Sequence, residues 1–154
     1  MIKLGVISDS HWERRGLAGF AKRAKEQGYD AVIHCGDGLS DAQWLEDELK
    51  IPVHRVAGNC DLRMRTEKEL RLTFGRVRLL VVHGDRFGVK MGLSRLSYYA
   101  EEAGAHVVLF GHTHEPTACY AGKVMMVNPG SLAMGCYAEL MIDGEKAAPY
   151  LKDL

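Results

Sequence analysis

Leu4-Gly5-Val6-Ile7-Ser8-Asp9-Ser10-His11 begins as a short apolar run and ends in an Asp-x-His pair. A β-rich run of this length reads as a buried strand, which puts the polar pair at its carboxyl end. The same order recurs along the chain. Ala31-Val32-Ile33 precedes Gly36-Asp37, Leu79-Leu80-Val81-Val82 precedes His83-Gly84, and Val107-Val108-Leu109-Phe110 precedes Gly111-His112-Thr113-His114. Gly58-Asn59 is a fifth polar block. One such block arises by chance in many sequences, but five in this order, four of them behind apolar runs, are far more specific. In open α/β sheets, ligands bind at the carboxyl edge of the strands, so an α/β fold with a site on that edge is expected.

The blocks hold Asp9, His11, Asp37, Asn59, His83, His112 and His114. They offer oxygen and imidazole nitrogen without thiolate, which suits divalent Mn, Fe, Zn or Ni. Two ions about 3.5–4 Å apart need a shared ligand, and a carboxylate can bridge them. Asp37, in the middle of the series, is the candidate bridge. Asp9 and Asp37 cancel only part of the charge of two divalent ions, so the site favours hydroxide and an anionic substrate such as a phosphate ester.

These blocks resemble the calcineurin-like metallophosphoesterases, most closely their small single-domain phosphodiesterase branch in bacteria and archaea. The resemblance implies two mixed β-sheets packed as a sandwich, with helices on the outer faces. It assigns one metal to Asp9, His11 and His114 and the other to Asn59, His83 and His112, with Asp37 shared. Manganese is the first expectation, with Ni, Fe or Zn as alternatives. The implied reaction is hydrolysis of a phosphate diester by in-line attack of a metal-bridging hydroxide, with Asp37, Asn59 and His83 at the catalytic centre. Asn59 can ligate through its carbonyl oxygen while its amide donates to a phosphate oxygen.

Many members of the family carry His after the Asn, as general acid for the leaving group; here Cys60 stands there. A thiol with an ordinary pKa of about 8.5 is a poor acid, and positioned acid catalysis is worth roughly 10²–10⁴-fold. Activity is therefore expected to lean on good leaving groups, although the small phosphodiesterase branch often has this Cys. Further substrate contacts are expected from Asn59, Cys60, Arg63 and Ser131. Arg14, Arg15 and Arg65 read first as solvated surface, and Asn128-Pro129-Gly130-Ser131 reads equally as a Pro-Gly turn. Asp61 reads as a turn residue, and Asp85 as a group that orients a ligand histidine.

The 154 residues, 47% hydrophobic, suffice for one domain spanning positions 1–154. Twenty basic and twenty acidic residues balance to zero, which disfavours an extended nucleic-acid surface and leaves a small, nucleotide-like diester as substrate. Leu4 to Ile7 is too short for a signal-peptide core and no stretch approaches a membrane span. Cys35, Cys60, Cys119 and Cys136 form no CxxC pair and are read as reduced, in a cytoplasmic protein.

Leu17, Phe20, Ala21 and Ala24 mark an amphipathic helix. Ser40 with Gln43 signals a capping box for a second, carrying Ala42, Leu45 and Leu49. A third is expected from about Gly92 to Gly104. The tail after residue 116 reads as short strands joined by Gly-containing turns. His34, His54 and His106 read as satisfied core or surface histidines, and Trp44, Tyr98 and Tyr99 as packing residues. A homo-oligomer through a sheet edge or the apolar face near Leu93 stays open. The competing function is a catalytically weak metal-binding scaffold for protein–protein interaction, as in a retromer subunit that resembles this family. Such a scaffold tends to lose ligands, whereas all seven positions here hold suitable types.

Overall fold

The computed structural model describes residues 1–62 and 65–154. Along the chain, the first half forms β1 (Ile2–Ile7), α1 (Arg14–Gln27), β2 (Ala31–His34), α2 (Leu39–Leu49), β3 (Val53–Arg55), β4 (Glu69–Phe74) and β5 (Val77–Val82). The second half forms α3 (Ser94–Glu102), β6 (Val107–Leu109), β7 (Thr117–Ala121), β8 (Val124–Asn128), β9 (Cys136–Asp143) and β10 (Lys146–Asp153).

The strands make two five-stranded sheets, in the orders β10-β9-β1-β2-β3 and β4-β5-β6-β8-β7. Parallel pairing joins β1, β2 and β3 in one sheet and β5, β6 and β8 in the other. Antiparallel neighbours flank both parallel sets, so each sheet is mixed, as the change of pattern after the last metal block implied.

The central strands are apolar on both faces because both faces are covered. Leu4 and Val6 of β1 meet Leu79 and Val81 of β5 in the core between the sheets. On the opposite face of the first sheet, Ile7 and Val32 pack under Leu17, Phe20 and Ala21 of α1 and Leu45 of α2. Leu80 and Val108 of the second sheet pack under Leu96 and Ala100 of α3. The order of layers is helix, sheet, sheet, helix. No helix among the described residues is long and apolar enough to cross a membrane.

α1 starts at Glu13, whose side chain accepts from the Arg15 amide, and stops at Gly28 in the left-handed conformation. α2 departs from the expected capping box. Ser40 already lies within its first turn, and the N-cap is Gly38, which has no side chain to offer. The first amides of α2 are taken instead by a carboxylate remote in sequence, Asp61, whose Oδ1 accepts from Gly38 N at 3.1 Å and Leu39 N at 3.2 Å.

Two of the expected packing aromatics lie at the surface, Trp44 at 43% and Tyr98 at 69% exposure. Both occupy helix faces turned away from the sheet, where helical position alone does not imply burial. Tyr99 does pack, against Phe87, and donates to Glu69. All four cysteines are free thiols.

Candidate metal centre

Five strands, β1, β2, β3, β5 and β6, point their carboxyl ends at one edge of the sandwich, and each is followed by one polar block. The first sheet brings Asp9, His11, Asp37 and Asn59; the second brings His83, His112 and His114. Asn59 thus also follows a strand, one too short at three residues to stand out as an apolar run. Backbone bonds weld neighbouring loops, from Asp9 N to Gly36 O, His11 N to Asp37 O and Gly111 N to His83 O. Across the sheets, His112 N donates to Asp9 Oδ2 at 3.0 Å, and His83 Nδ1 lies 2.8 Å from the Cys35 carbonyl.

The loop backbones are strained where the candidate ligands sit. Asp9, His11, Asp37, His112 and His114 all adopt positive φ, between 47° and 72°. This is uncommon for residues with a Cβ, and such conformations persist only where the surroundings over-determine them. Glycine admits the closest approaches: a Cβ on Gly58 would fall 2.1 Å from Asp37 Oδ1, and one on Gly111 would fall 1.9 Å from Ser8 Oγ.

Asp9 Oδ1, Asp37 Oδ2 and the imidazole nitrogens form the heart of the cluster. Asp9 Oδ1 lies 3.2 Å from His114 Nε2 and 3.5 Å from His11 Nε2, and those two nitrogens are 3.2 Å apart. The centre of this triangle is about 1.9 Å from each corner, close to the roughly 2.0–2.2 Å of a divalent metal bond to nitrogen or oxygen. Around His83 Nε2 stand Asn59 Oδ1 at 2.9 Å, Asp37 Oδ2 at 3.3 Å and His112 Nδ1 at 3.3 Å. Asp37 Oδ2 is also 3.8 Å from His11 Nε2, which puts this oxygen between the two groups.

The donors fit a cation. Asp9 Oδ1 is the one buried side-chain polar atom without a hydrogen-bond partner among the described residues. A carboxylate oxygen left bare in the interior is costly unless a positive charge meets it. His83 Nδ1 faces the Cys35 carbonyl, so Nε2 is aimed at two oxygens, Asn59 Oδ1 and Asp37 Oδ2. Such a cluster of acceptors is held together by protonation or by a metal. The residues could hold two divalent ions of the O/N-preferring kind.

Within the cluster the charges of the side chains compensate one another. Burial pushes the Asp37 carboxyl up, but the hydrogen bond and charge of His83 and the Cys60 hydrogen bonds outweigh it and hold Asp37 well below the usual carboxylate range. Burial likewise opposes protonation of His83, while Asp37 and Asp9 win and raise it. His112 is lowered by burial and by His83. Burial and the Asp37 carboxylate push the Cys60 thiol up, making it a weaker acid than a free thiol.

A second set of polar residues fixes these loops. Asp61, nearly buried, is more than a turn residue: its carboxylate accepts from Asp37 N and Gly58 N at 2.8 Å each, besides the two α2 amides. Its only signal in the sequence was a carboxylate two positions after Asn59. Beneath the first loops, Gly36 N donates to His34 Nδ1, so His34 Nε2 carries the hydrogen and donates to Ser10 Oγ at 2.9 Å. Ser10 in turn donates to Asp41 Oδ2 at 2.6 Å, which also accepts from Trp12 N. His34 is therefore a satisfied, neutral core histidine, its pKa lowered to about 4 by burial. Asn128 donates to Gly111 O and Thr113 Oγ1, bracing the loop of His112 and His114. His34 bears out its reading as a satisfied core histidine, whereas nothing in the sequence pointed to Ser10 and Asp41 as its partners.

The expected substrate contacts fare unevenly. Ser131 is buried and donates to the Asp9 carbonyl at 2.8 Å, which makes it a brace on a ligand backbone, not a group facing the cleft. Cys60 is exposed, and its amide donates to Asp37 Oδ1. Arg63 lies outside the described residues. Arg14, Arg15 and Arg65 are exposed. Asp85 makes no hydrogen bond to a histidine among the described residues; the Cys35 carbonyl orients His83 instead. A groove of about 690 Å³ runs from Asn59 and His83 to Phe87 and Tyr99, with Lys68 and Arg86 along it. A cleft of about 550 Å³ lies on the Trp12 side of the cluster.

A family model described as the calcineurin-like phosphoesterase superfamily domain matches residues 2–140. The probable metallophosphoesterase YsnB of Bacillus subtilis is 40% identical over 129 residues, 84% of this chain and 74% of that protein. A phosphodiesterase of Methanocaldococcus jannaschii is 24% identical over 144 residues, 84% of this chain and 83% of its own length. Among solved structures, a predicted phosphoesterase from Streptococcus pneumoniae superimposes with a TM-score of 0.78 at 26% identity, covering 98% of each chain.

Proposed function

The chain belongs to the calcineurin-like phosphoesterase superfamily and is a metal-dependent phosphoesterase, and on that premise we propose that it hydrolyses small phosphate diesters at a two-metal centre. Asp9, His11 and His114 would hold one ion and Asn59, His83 and His112 the other, with Asp37 facing both groups. The observation that carries this reading is the bare Asp9 Oδ1 ringed by imidazole nitrogens. Divalent ions held by these residues would supply an activated water at neutral pH and positive charge opposite the phosphoryl oxygens.

The chain's own groups divide the remaining work. Asp37 keeps Oδ1 on the Cys60 amide and turns Oδ2 to both ligand groups, so its position is set before substrate arrives. Asn59 turns Oδ1 to His83 and gives one amide hydrogen to Cys60 Sγ, which leaves the other to orient a phosphate oxygen. His83 is locked by Cys35 O. Cys60, with its thiol pKa raised, gives little acid catalysis, so good leaving groups react fastest. A diester carries two ester arms, and open grooves on two sides of the cluster can receive them. The archaeal phosphodiesterase relative supports the same preference.

The test is hydrolysis of an aryl phosphodiester and the matching monoester by metal-stripped protein, with Mn, Ni, Zn, Fe or Mg restored. Manganese-dependent diester cleavage, abolished by His83→Ala and by Asp37→Ala, is expected. Two ions bound per chain without turnover would refute the diesterase reading and favour a protein-binding scaffold.

A further inference from the structure

Trp12 follows His11 directly and holds a conformation that folding does not favour. Its φ is 61°, in the left-handed region where a bulky side chain is a genuine outlier. The indole is nonetheless 46% exposed, so the strain is not offset by burial of the ring. It is also fixed at both ends. Its backbone N–H donates to Asp41 Oδ2 at 2.9 Å, and its indole N–H donates to Ser40 Oγ. Asp41 is the same carboxylate that accepts from Ser10, so the posture of Trp12 is tied to the loop carrying Asp9 and His11.

Trp44, 43% exposed, lines the same cleft, with Leu17 and Ala18 forming its apolar wall and Arg14 beside them. The two indoles line the cleft without pairing with each other. Ser40 accepts the indole hydrogen and keeps its own hydroxyl hydrogen to donate. At about 550 Å³, the cleft is of the size of small-molecule sites, which join apolar walls to a few placed polar groups. The His11 and Trp12 ring centroids are 6.3 Å apart, so a group on the indole is within one ester's reach of the cluster.

We propose that the cleft between Trp12 and Trp44 is a nucleobase subsite, holding the base of a nucleotide-like ester whose phosphate lies at the metal centre. The proposal rests on the phosphoesterase reading above for the place of the phosphate. Exposed aromatic faces stack on bases with little regard to which base, and a nearby guanidinium adds a cation for the anionic backbone. The arm of the diester on this side is a nucleoside, and selectivity is for the presence of a base over its identity.

Trp12 and Trp44 are the chain's two tryptophans, so tryptophan fluorescence, excited selectively over tyrosine, reports on this cleft alone. Manganese-loaded full-length protein is titrated with adenosine 5′-monophosphate and with ribose 5-phosphate, which has the same phosphate and no base. Saturable quenching by the nucleotide, about tenfold or more tighter than by the sugar phosphate, is expected from the range of base–aromatic stacking. Trp44→Ala, on an exposed helix face, brings the two affinities to within about twofold, while Trp44→Phe, which keeps an aromatic face, retains most of the discrimination. Equal affinities in the unmodified chain, or discrimination unaffected by Trp44→Ala, would overturn the subsite and leave the cleft as a docking surface of another kind. Hydrolysis of an aryl phosphodiester in the same preparation separates the two readings. Turnover without base discrimination removes only the subsite, and base discrimination without turnover removes only the diesterase reading.

Discussion

Asp61 accepts four backbone hydrogen bonds, from the Asp37 and Gly58 loops and from the first turn of α2. An amide in its place presents N–H donors to a ring of N–H donors. Asp61→Asn is therefore expected to cost about 3 kcal/mol in chemical denaturation, since hydrogen bonds to a charged group are worth more than neutral ones. Metal affinity should fall with it, because Asp37 and Asn59 lose their anchor; an unchanged midpoint and unchanged affinity would reduce Asp61 to a turn residue. His34 gives a pH dependence. Burial lowers its pKa from 6.5 to about 4, so between those values the unfolded chain binds more protons than the folded one. The contribution is fully present above about pH 6.5 and is lost as the pH falls toward 4, in total about 3 kcal/mol. His34→Gln, which keeps a donor toward Ser10 and cannot titrate, should flatten the stability curve in that window. At this scale the ligand types were legible from residue chemistry, whereas the bracing roles of Asp61, Ser10 and Ser131 were not, because their partners are groups remote in sequence.

β1, β2, β3, β5 and β6 each end at one polar block, and the loops, not the strands, carry the strain. Gly58 lets the loop after β3 lie directly on Asp37. Gly58→Ala is expected to push the two loops apart and weaken metal binding at least tenfold, measured by calorimetric titration, while the circular dichroism of the sheets stays the same. Retained affinity would mean that the loops have slack the close approach does not suggest. The elements themselves were largely readable. Apolar runs located four of the five strands, and the i, i+3, i+4 pattern located α1. β3 escaped notice because three residues carry too little periodicity, and the start of α2 was misplaced because its cap comes from Asp61 and not from the adjacent Ser40. Trp44 and Tyr98 were misread as packing residues because a helix position does not say which face meets the sheet.

Across the whole molecule, the candidate ligands are divided between the two sheets, four residues from one and three from the other. Ions bound among them would tie the sheets together at one edge, and the unfolded chain has no such arrangement to bind them. Excess Mn at 100 times its dissociation constant is expected to add about 2.7 kcal/mol to stability. That corresponds to a rise in melting temperature of roughly 5–10 °C, reversed by chelator. A melting curve indifferent to metal and chelator would argue against the centre. The sequence by itself determined the α/β class, the strand-end placement of the blocks and the ligand types, because hydrophobic period and side-chain chemistry are local properties. Only the tertiary structure decided which sheet each strand joins, that five candidate ligands sit at positive φ, and that Asp9 Oδ1 is left bare among imidazoles. Those features depend on distances between residues up to about a hundred positions apart, as between Asp9 and His114, and packing alone fixes such distances.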